Sequence, residues 1–258
     1  VISGFLVGAM LALAGALMQV LLKNPLAEPY ILGVSGGASV CALLAMMTGI
    51  AGVWLNMAAF AGALLSILLV FGLARLGGQW NPLRVLLTGI VVASGWGALI
   101  SFILAVSPAM QIHGMLFWLM GDLEYADNFK YGFVVLLCGF IVSMAIARGL
   151  NLMARGDMQA AALGVSVRKL RYVVYFLASL LTATAVMQAG NIGFIGLIVP
   201  HLVRLILGSD HRILLPVSLL LGGSLLVIAD TLARIVIAPQ QLPVGVLTAM
   251  IGVPLFLF

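Results

Sequence analysis

The sequence is a succession of long apolar stretches separated by short polar breaks, and this pattern limits the possible folds more than any other feature. A helix needs about twenty apolar residues to cross the hydrocarbon core of a bilayer. The breaks leave nine stretches that approach this length, at residues 1–22, 34–49, 53–76, 82–106, 129–148, 170–188, 194–207, 213–235 and 243–258. The stretches that begin at Val34 and Phe194 are short, so we expect them to be tilted or to cross only part of the membrane.

Composition agrees with a bilayer as the solvent. Hydrophobic residues make up 64% of the 258 positions and charged residues 7%, against about 45–50% and 25% in soluble domains. Backbone groups in lipid must be satisfied within the protein, which favours helices. The sequence therefore predicts an all-α, polytopic membrane protein. Cys41 and Cys138 lie in apolar runs and indicate neither a disulfide framework nor a metal site.

The positive residues are distributed unevenly between the two sets of loops that nine alternating spans create. One set holds Lys23, Arg75, Arg84, Arg148, Arg155, Arg168, Lys169, Arg171, Arg204 and Arg212, and the other holds Lys130 and Arg234. Cytoplasmic loops carry the excess of lysine and arginine, so the first set is predicted to be cytoplasmic and Val1 to start on the outer side. The net charge of +5 is then explained by the positive residues of the cytoplasmic loops and does not indicate nucleic acid as a partner.

The chain has no pattern typical of catalysis. No glycine-rich loop ending in lysine and serine or threonine is present, so the chain is not expected to hydrolyse ATP alone. The histidines His113, His201 and His211 adjoin helix ends and lack a partnered nucleophile in the sequence. We therefore predict no catalytic residue, no bound metal and no cofactor in this chain. A membrane-embedded enzyme or structural subunit would show polar catalytic clusters at one membrane face, which the sequence does not contain.

The middles of the spans carry almost no charge, although an ion-coupled carrier usually keeps ionisable side chains there. The nearest case is Asp230 and Arg234, four residues apart near the outer end of a span. This spacing favours an ion pair on one helix face, and Arg234 could equally contact a partner protein. A secondary, ion-coupled transporter is the alternative to an ATP-driven one.

Three polar segments are candidates for function. In the longest, at residues 148–171, "GDMQAAALG" predicts a short helix that starts at Asp157 and stops at Gly164. That helix suits a groove on a soluble partner, while an amphipathic connector and attraction to anionic lipid explain it equally well. In "NIGFIGLIVPHLVRL", Gly193 and Gly196 permit close helix approach. The acidic loop "GDLEYADN" is either solvated or contacts a partner on the outer side.

A faint internal symmetry links the two halves of the chain. The segments "AGALMQVLLKNP" and "ATAVMQAGNIGF" share small residues followed by Met-Gln, at Met18-Gln19 and Met187-Gln188. In the predicted topology their helices run in opposite directions. Inverted repeats of this kind are common in transporters, where paired broken helices often flank the pathway.

Several long motifs carry a resemblance to a known family. They are "SGFLVGAMLALAGALMQVLLKNPLAEPYILGVSGGA", "GNIGFIGLIVPHLVRLILGSDHRILLP", "IADTLAR" and "QLPVGVLTAMIGVPLFLF", in order from Ser3 to Phe258. They closely resemble the permease subunits of type II ABC importers for vitamin B12, iron-siderophores and haem. The resemblance implies a single transmembrane permease domain over residues 1–258. Family members have ten helices, so we expect the first helix and the end of the tenth to lie outside this sequence.

The resemblance also assigns roles to residues. The loop of such permeases that matches "GDMQAAALG" forms the helices that dock on the ATPase, which implies coupling roles within residues 150–170 for Gly156, Asp157, Ala160, Ala161, Leu163 and Gly164. In the vitamin B12 permease a cytoplasmic gate matches Asn24, Pro25 and Leu26. A second gate matches Pro82 and Leu83 in "WNPLR", which lacks the small hydroxyl residues of that relative. Arg234 matches an outer arginine that pairs with the binding protein.

The implied assembly has several further parts. It contains a second copy of this chain, two ATP-binding subunits that hold ATP and magnesium, a periplasmic substrate-binding protein and surrounding membrane lipid. Such complexes lie in the bacterial inner membrane and move a metal chelate, such as an iron-siderophore, haem or cobalamin, into the cytoplasm. The binding protein supplies recognition, so the permease path needs no fixed charged pocket.

Overall fold

A computed structural model describes residues 1–76, 82–123, 129–238 and 240–257, and the side chains of Phe256 and Leu257 are not described. These parts form eleven α-helices and one short 3-10 helix, and no strand. The α-helices are α1 Ile2–Leu22, α2 Val34–Met47, α3 Val53–Arg75, α4 Pro82–Val106, α5 Ala109–Met120, α6 Phe129–Arg155, α7 Asp157–Ala162, α8 Val167–Ala189, α9 Ile195–Leu207, α10 His211–Ile235 and α11 Val244–Leu257. The 3-10 helix is Pro29–Leu32. The prediction of an all-α membrane bundle is confirmed.

Six of these helices are long and apolar enough to cross a membrane, namely α1, α3, α4, α6, α8 and α10. The shorter apolar helices are α2, α5, α9 and α11. The helices that begin at Val34 and Ile195 have 14 and 13 residues, as expected from the short apolar stretches there. Length and composition therefore identify six candidate spans among the described residues, and the count of nine stays a prediction.

Two helices differ from the sequence-based expectation. Helix α5 was not expected, because its twelve residues include Gln111 and His113 and are too few to span a bilayer. It is held by packing, since Met115 is fully buried in a cluster with Val40 and Leu43. Helix α6 continues to Arg155, so much of the polar segment at residues 148–171 is helical.

Helix α1 forms the centre of the bundle, with 94% of its span buried. It packs against α8, α9 and α10, and glycines let the backbones touch at α9 and α10. A Cβ atom on Gly8 would lie 2.2 Å from the carbonyl oxygen of Gly222, and one on Gly15 would lie 1.8 Å from that of Gly196. Small residues at helix contacts are typical of membrane bundles, because packing there drives association.

The two short helices α2 and α9 begin inside the bundle. The Ser66 hydroxyl donates to the carbonyl of Gly33 at 2.8 Å, immediately before α2, and Ser66 lies nine residues before the end of α3. At 1.5 Å per residue that is about 13 Å from the cytoplasmic end. Helix α9 starts beside Gly15, seven residues before the end of α1. Both helices therefore start within the length of the candidate spans α3 and α1.

Side chains satisfy the irregular backbone at these two starts. Glu28 Oε1 accepts a hydrogen bond from the Phe194 amide at 2.8 Å. The Tyr30 hydroxyl donates to the Ile192 carbonyl at 3.0 Å and accepts from the Ile192 amide at 3.2 Å. Non-helical backbone at this depth requires such cover. The segment before α2 thus holds the segment before α9.

The ends of α1 and α8 show the antiparallel relation that the repeat predicts. The C-terminal end of α1 lies near the N-terminal part of α8, since Lys23, the C-cap of α1, and Arg171 share a carboxylate. Each of the two helices is followed by a short helix that starts at depth. The sequence-based hypothesis of an inverted repeat agrees with this arrangement.

Candidate functional site

Cations gather at one end of the bundle, which the loop charges predict to be the cytoplasmic end. Lys23, Arg155 and Arg204 line one cavity, while Arg75 and Arg168 both contact the Tyr172 hydroxyl. Arg234, at the C-terminal end of α10, lies at the opposite end from Arg212, which is in its first turn. The clustering of these side chains agrees with the sidedness inferred from the loops.

Residues 24–26 form a tight turn after α1, here called the NPL turn. The Asn24 side-chain oxygen accepts from the Leu26 amide at 2.9 Å, and the Ala27 amide donates to the Asn24 carbonyl at 3.1 Å. Asparagine is favoured in such turns because its side chain replaces a backbone acceptor. Leu26 is 48% exposed. Asn24 therefore fixes the turn, and Leu26 is presented by it.

Residues 156–164 form the second part of the site, here called the α7 segment. Gly156 precedes the helix at a φ of 138°, and Gly164 follows it at 83°. The amides of Gly164 and Val165 donate to the carbonyls of Ala161 and Ala160, which is a Schellman C-cap. Ala160 is fully buried, while Met158 and Leu163 are 87% and 67% exposed. The segment thus presents apolar side chains on a short, firmly capped helix.

An ion-pair cluster joins these two parts. Lys23 Nζ lies 2.8 Å from Asp157 Oδ2, and the guanidinium of Arg171 binds the same oxygen. Lys23 adjoins the NPL turn, Asp157 is the first residue of α7, and Arg171 is in the first part of α8. The resemblance predicts a coupling role for Asp157, but neither of its two partners is predictable, because ion pairs between distant segments have no local sequence signal.

A cavity of about 410 Å³ lies beside the cluster. Its lining includes Gln19, Lys23, Asn24, Pro25, Arg155, Gly156, Arg204 and His211. The Gln19 side chain donates to the Leu197 carbonyl at 3.2 Å and accepts from Arg204 at 2.9 Å. The cavity therefore joins the end of α1 to the start of the α7 segment and to α9.

The junction between α9 and α10 is tied to α6 at the same end. The side-chain amide of Asn151 donates to the Asp210 carboxylate at 2.7 Å. Asp210 also caps α10, because its carboxylate accepts from the backbone amide of Arg212 at 3.0 Å. Hydrogen bonds from Arg212 and Asn151 hold the pKa of Asp210 below its usual range. Asp210 therefore stays ionised, and continues to cap α10, to a lower pH than an ordinary aspartate would.

The remaining predicted positions lie elsewhere. Pro82 is the first residue of α4, where its missing N–H costs nothing, and Leu83 is 60% exposed. Neither lines the cavity. Trp80 and Asn81 of "WNPLR", and Glu124 and Asp127 of the acidic loop, lie outside the described residues.

At the outer end, Arg234 pairs with Asp230. Their Nε and Oδ2 atoms are 3.1 Å apart, and the side chains are 43% and 15% exposed. The predicted i,i+4 ion pair is confirmed. Because the arginine is the more exposed partner, it remains accessible to a second protein.

Glu28 and Tyr30 are structural residues that sequence analysis did not single out. The predicted gate residues Asn24, Pro25 and Leu26 lie at the mouth, whereas Glu28 of the same segment binds the backbone before α9. The available signal was a charged residue held between Pro25 and Pro29. Within the described parts of the chain, no group of three or more His, Cys, Asp or Glu side chains is placed to hold a metal ion.

The sequence of this chain is similar to those of known transport proteins. A model described as the FecCD transport family matches residues 1–258. The cobalamin import system permease protein BtuC of Halobacterium salinarum is 42% identical over 261 residues, covering 100% of this chain and 70% of the relative. The Fe(3+) dicitrate permease protein FecD of Escherichia coli is 42% identical, covering 98% and 79%. The hemin permease protein HmuU of Yersinia pestis is 39% identical, covering 100% and 79%.

Solved structures give the same result for the fold. A metal-chelate type ABC transporter in an inward-facing conformation superposes with a TM-score of 0.90 and 33% identity, over 99% of this chain and 82% of that one. PsaBC from Streptococcus pneumoniae shares the fold at a TM-score of 0.66 and 16% identity, over 99% and 87%. Together with the match over the whole sequence, these relatives show that the chain is an ABC transporter permease, a membrane pore component, and belongs to the FecCD transport family.

Proposed function

We propose that this chain is the permease of an importer that moves a metal chelate from the periplasm to the cytoplasm. The main support for this proposal is the ion pair between Asp157, at the start of the exposed helix α7, and Lys23, which adjoins the NPL turn. This is the arrangement needed to convert movement of a soluble subunit into movement at the membrane. The relatives transport cobalamin, ferric dicitrate and hemin by their printed names, and chelates of this class are the proposed cargo.

The α7 segment is proposed to dock on an ATPase subunit. Gly156, Asp157, Ala160, Ala161, Leu163 and Gly164 form this helix and its two ends. The exposure of Met158 and Leu163 supports the assignment, because a docked subunit would remove these apolar side chains from water. The ATPase subunits, which hold ATP and magnesium, supply the hydrolysis, and this chain itself is not an enzyme.

The NPL turn is proposed as the inner gate. Leu26 is presented by a turn that Asn24 fixes, so a small rotation at the end of α1 would move an apolar side chain across the mouth. Pro82 and Leu83 at the start of α4 are proposed as the second part of the gate. Two copies of the chain would enclose the path and supply two such turns, with membrane lipid around them in the bacterial inner membrane.

The ATP-driven assignment has a direct test. The complex is reconstituted in liposomes with its ATPase subunits and its binding protein, and uptake of cyanocobalamin, ferric dicitrate and hemin is measured with active ATPase and with an inactive variant. We expect one of these chelates to enter in the first case and none in the second. Uptake that persists with the inactive ATPase would instead establish an ion-coupled secondary transporter.

Arg234 is proposed to dock the periplasmic binding protein. Reversing its charge in Arg234→Glu would place the new carboxylate beside that of Asp230. We expect the affinity for the binding protein to fall about tenfold, which corresponds to about 1.4 kcal/mol. Basal ATP hydrolysis should not change, because the site lies at the other end of α10. Surface plasmon resonance with the detergent-solubilised complex measures the affinity, and Lys130→Glu is the matched control. Equal affinity for Arg234→Glu and the unmodified complex would contradict the assignment.

A further inference from the structure

The Asp157 carboxylate is shared by cations from two different helices. Lys23 and Arg171 both bind its Oδ2 atom, and the side chains of Lys23, Asp157 and Arg171 are 43%, 33% and 15% exposed. Its other oxygen, Oδ1, is enclosed by protein and has no hydrogen-bond partner. The carboxylate is therefore held in one orientation between the end of α1 and the start of α8.

Lys23 has an unusual backbone conformation. It is the C-cap of α1 with φ of 50°, and Phe194 is the other described non-glycine residue at positive φ. A side chain at this position is disfavoured, and such residues persist where surrounding contacts hold them. The bond to Asp157 is such a contact. Since Asn24 follows directly, the conformation of Lys23 sets the direction in which the NPL turn leaves α1.

We propose that Lys23, Asp157 and Arg171 form a mechanical link through which movement of the α7 segment reaches the NPL turn. The inference rests on the proposed function, in which the ATPase moves α7. Asp157 is the first residue of α7, so displacement of that helix carries the carboxylate with it. Arg171 joins the same carboxylate to the start of α8, so α7 and α8 move together, and Lys23 follows because its ammonium group is hydrogen-bonded to the carboxylate at 2.8 Å. Lys23 and Arg171 are positioning residues and do not contact cargo.

The link predicts a specific pattern among three variants. Lys23→Met, Asp157→Asn and the double variant are prepared in the intact complex, reconstituted with its ATPase subunits and binding protein. Each single variant should lower the chelate imported per ATP hydrolysed about fivefold, near the low end of ordinary coupling between sites. The double variant should match the single variants, because either change breaks the same link. Lys23→Arg keeps the charge and should retain most of the ratio.

A second measurement does not depend on the cargo. Hydrogen exchange by mass spectrometry is followed on the complex before and after addition of magnesium ATP. In the unmodified complex we expect ATP to change exchange in residues 156–164 and in residues 24–27. In Lys23→Met the change should remain in the first segment and disappear from the second. Lys169→Met is the control, because it removes an exposed cation of α8 two residues before Arg171. Its exchange response should equal that of the unmodified complex.

The outcomes separate the link from the wider proposal. If the unmodified complex imports nothing in response to ATP, the proposed function is overturned and the link with it. If the unmodified complex is coupled and Lys23→Met keeps the same import ratio and the same exchange response at residues 24–27, the link alone is overturned. The link is also refuted if the fold-losses in import per ATP of Lys23→Met and Asp157→Asn multiply in the double variant, since the two residues would then contribute independently.

Discussion

Replacing Gly15 with alanine is expected to prevent the normal assembly of the bundle. The added Cβ would lie 1.8 Å from the carbonyl oxygen and 2.7 Å from the Cα of Gly196, and both atoms belong to backbone. Helices α1 and α9 would have to separate to admit it. Overpacking of a tight core typically costs about 1–3 kcal/mol, and a clash with backbone belongs at the upper end because no side chain can rotate away.

The matched control is the same substitution where the helix surface is open. A Cβ on Gly72 of α3 meets no atom within 4 Å, and alanine is the better helix former by about 1 kcal/mol. Thermal unfolding of the purified protein in detergent, followed by size-exclusion chromatography, compares the two variants. We expect a lower Tm and loss of the monodisperse peak for Gly15→Ala, and an unchanged or higher Tm for Gly72→Ala. Similar Tm values would show that α1 and α9 do not pack as described.

The fold was largely predictable from the sequence because lipid simplifies the problem. Apolar stretches of span length and the bias of lysine and arginine define helices and their direction without knowledge of packing. The same rules missed α5, whose twelve residues are held by burial of Met115 and Trp118. A short helix that depends on tertiary contacts carries little signal in its own sequence.

The candidate site was predictable only in its local parts. The α7 helix was visible in "GDMQAAALG" because aspartate, alanine and glycine each favour a definite helix position. The contacts among Lys23, Asp157 and Arg171 join residues 134 and 14 positions apart, and no periodicity encodes them. The same holds for Glu28, whose depth depends on where α9 begins. Sequence rules identify which segments are unusual, and packing decides which of them meet.

Replacing Gly164 with valine is expected to uncouple import from ATP hydrolysis. Gly164 ends α7 at φ of 83°, and a Cβ there would meet no atom within 4 Å, so the substitution acts through backbone conformation alone. A left-handed residue other than glycine costs about 1–2 kcal/mol, and a β-branched side chain raises this further. Helix α7 has 6 residues, too few for stability without its caps. We therefore expect the C-cap at Gly164 and Val165 to open and the exposed Leu163 to leave its position.

The expected result is a fall in import of at least about tenfold, which corresponds to about 1.4 kcal/mol, with ATP hydrolysis by the reconstituted complex largely retained. Asparagine tolerates left-handed backbone far better than valine does, so Gly164→Asn is the control and should keep most of the import. Parallel assays of ATP hydrolysis and chelate uptake in the same liposomes measure both quantities. Equal import by the valine and asparagine variants would mean that the cap of α7 is not needed for coupling, because the two substitutions differ mainly in whether they permit that cap.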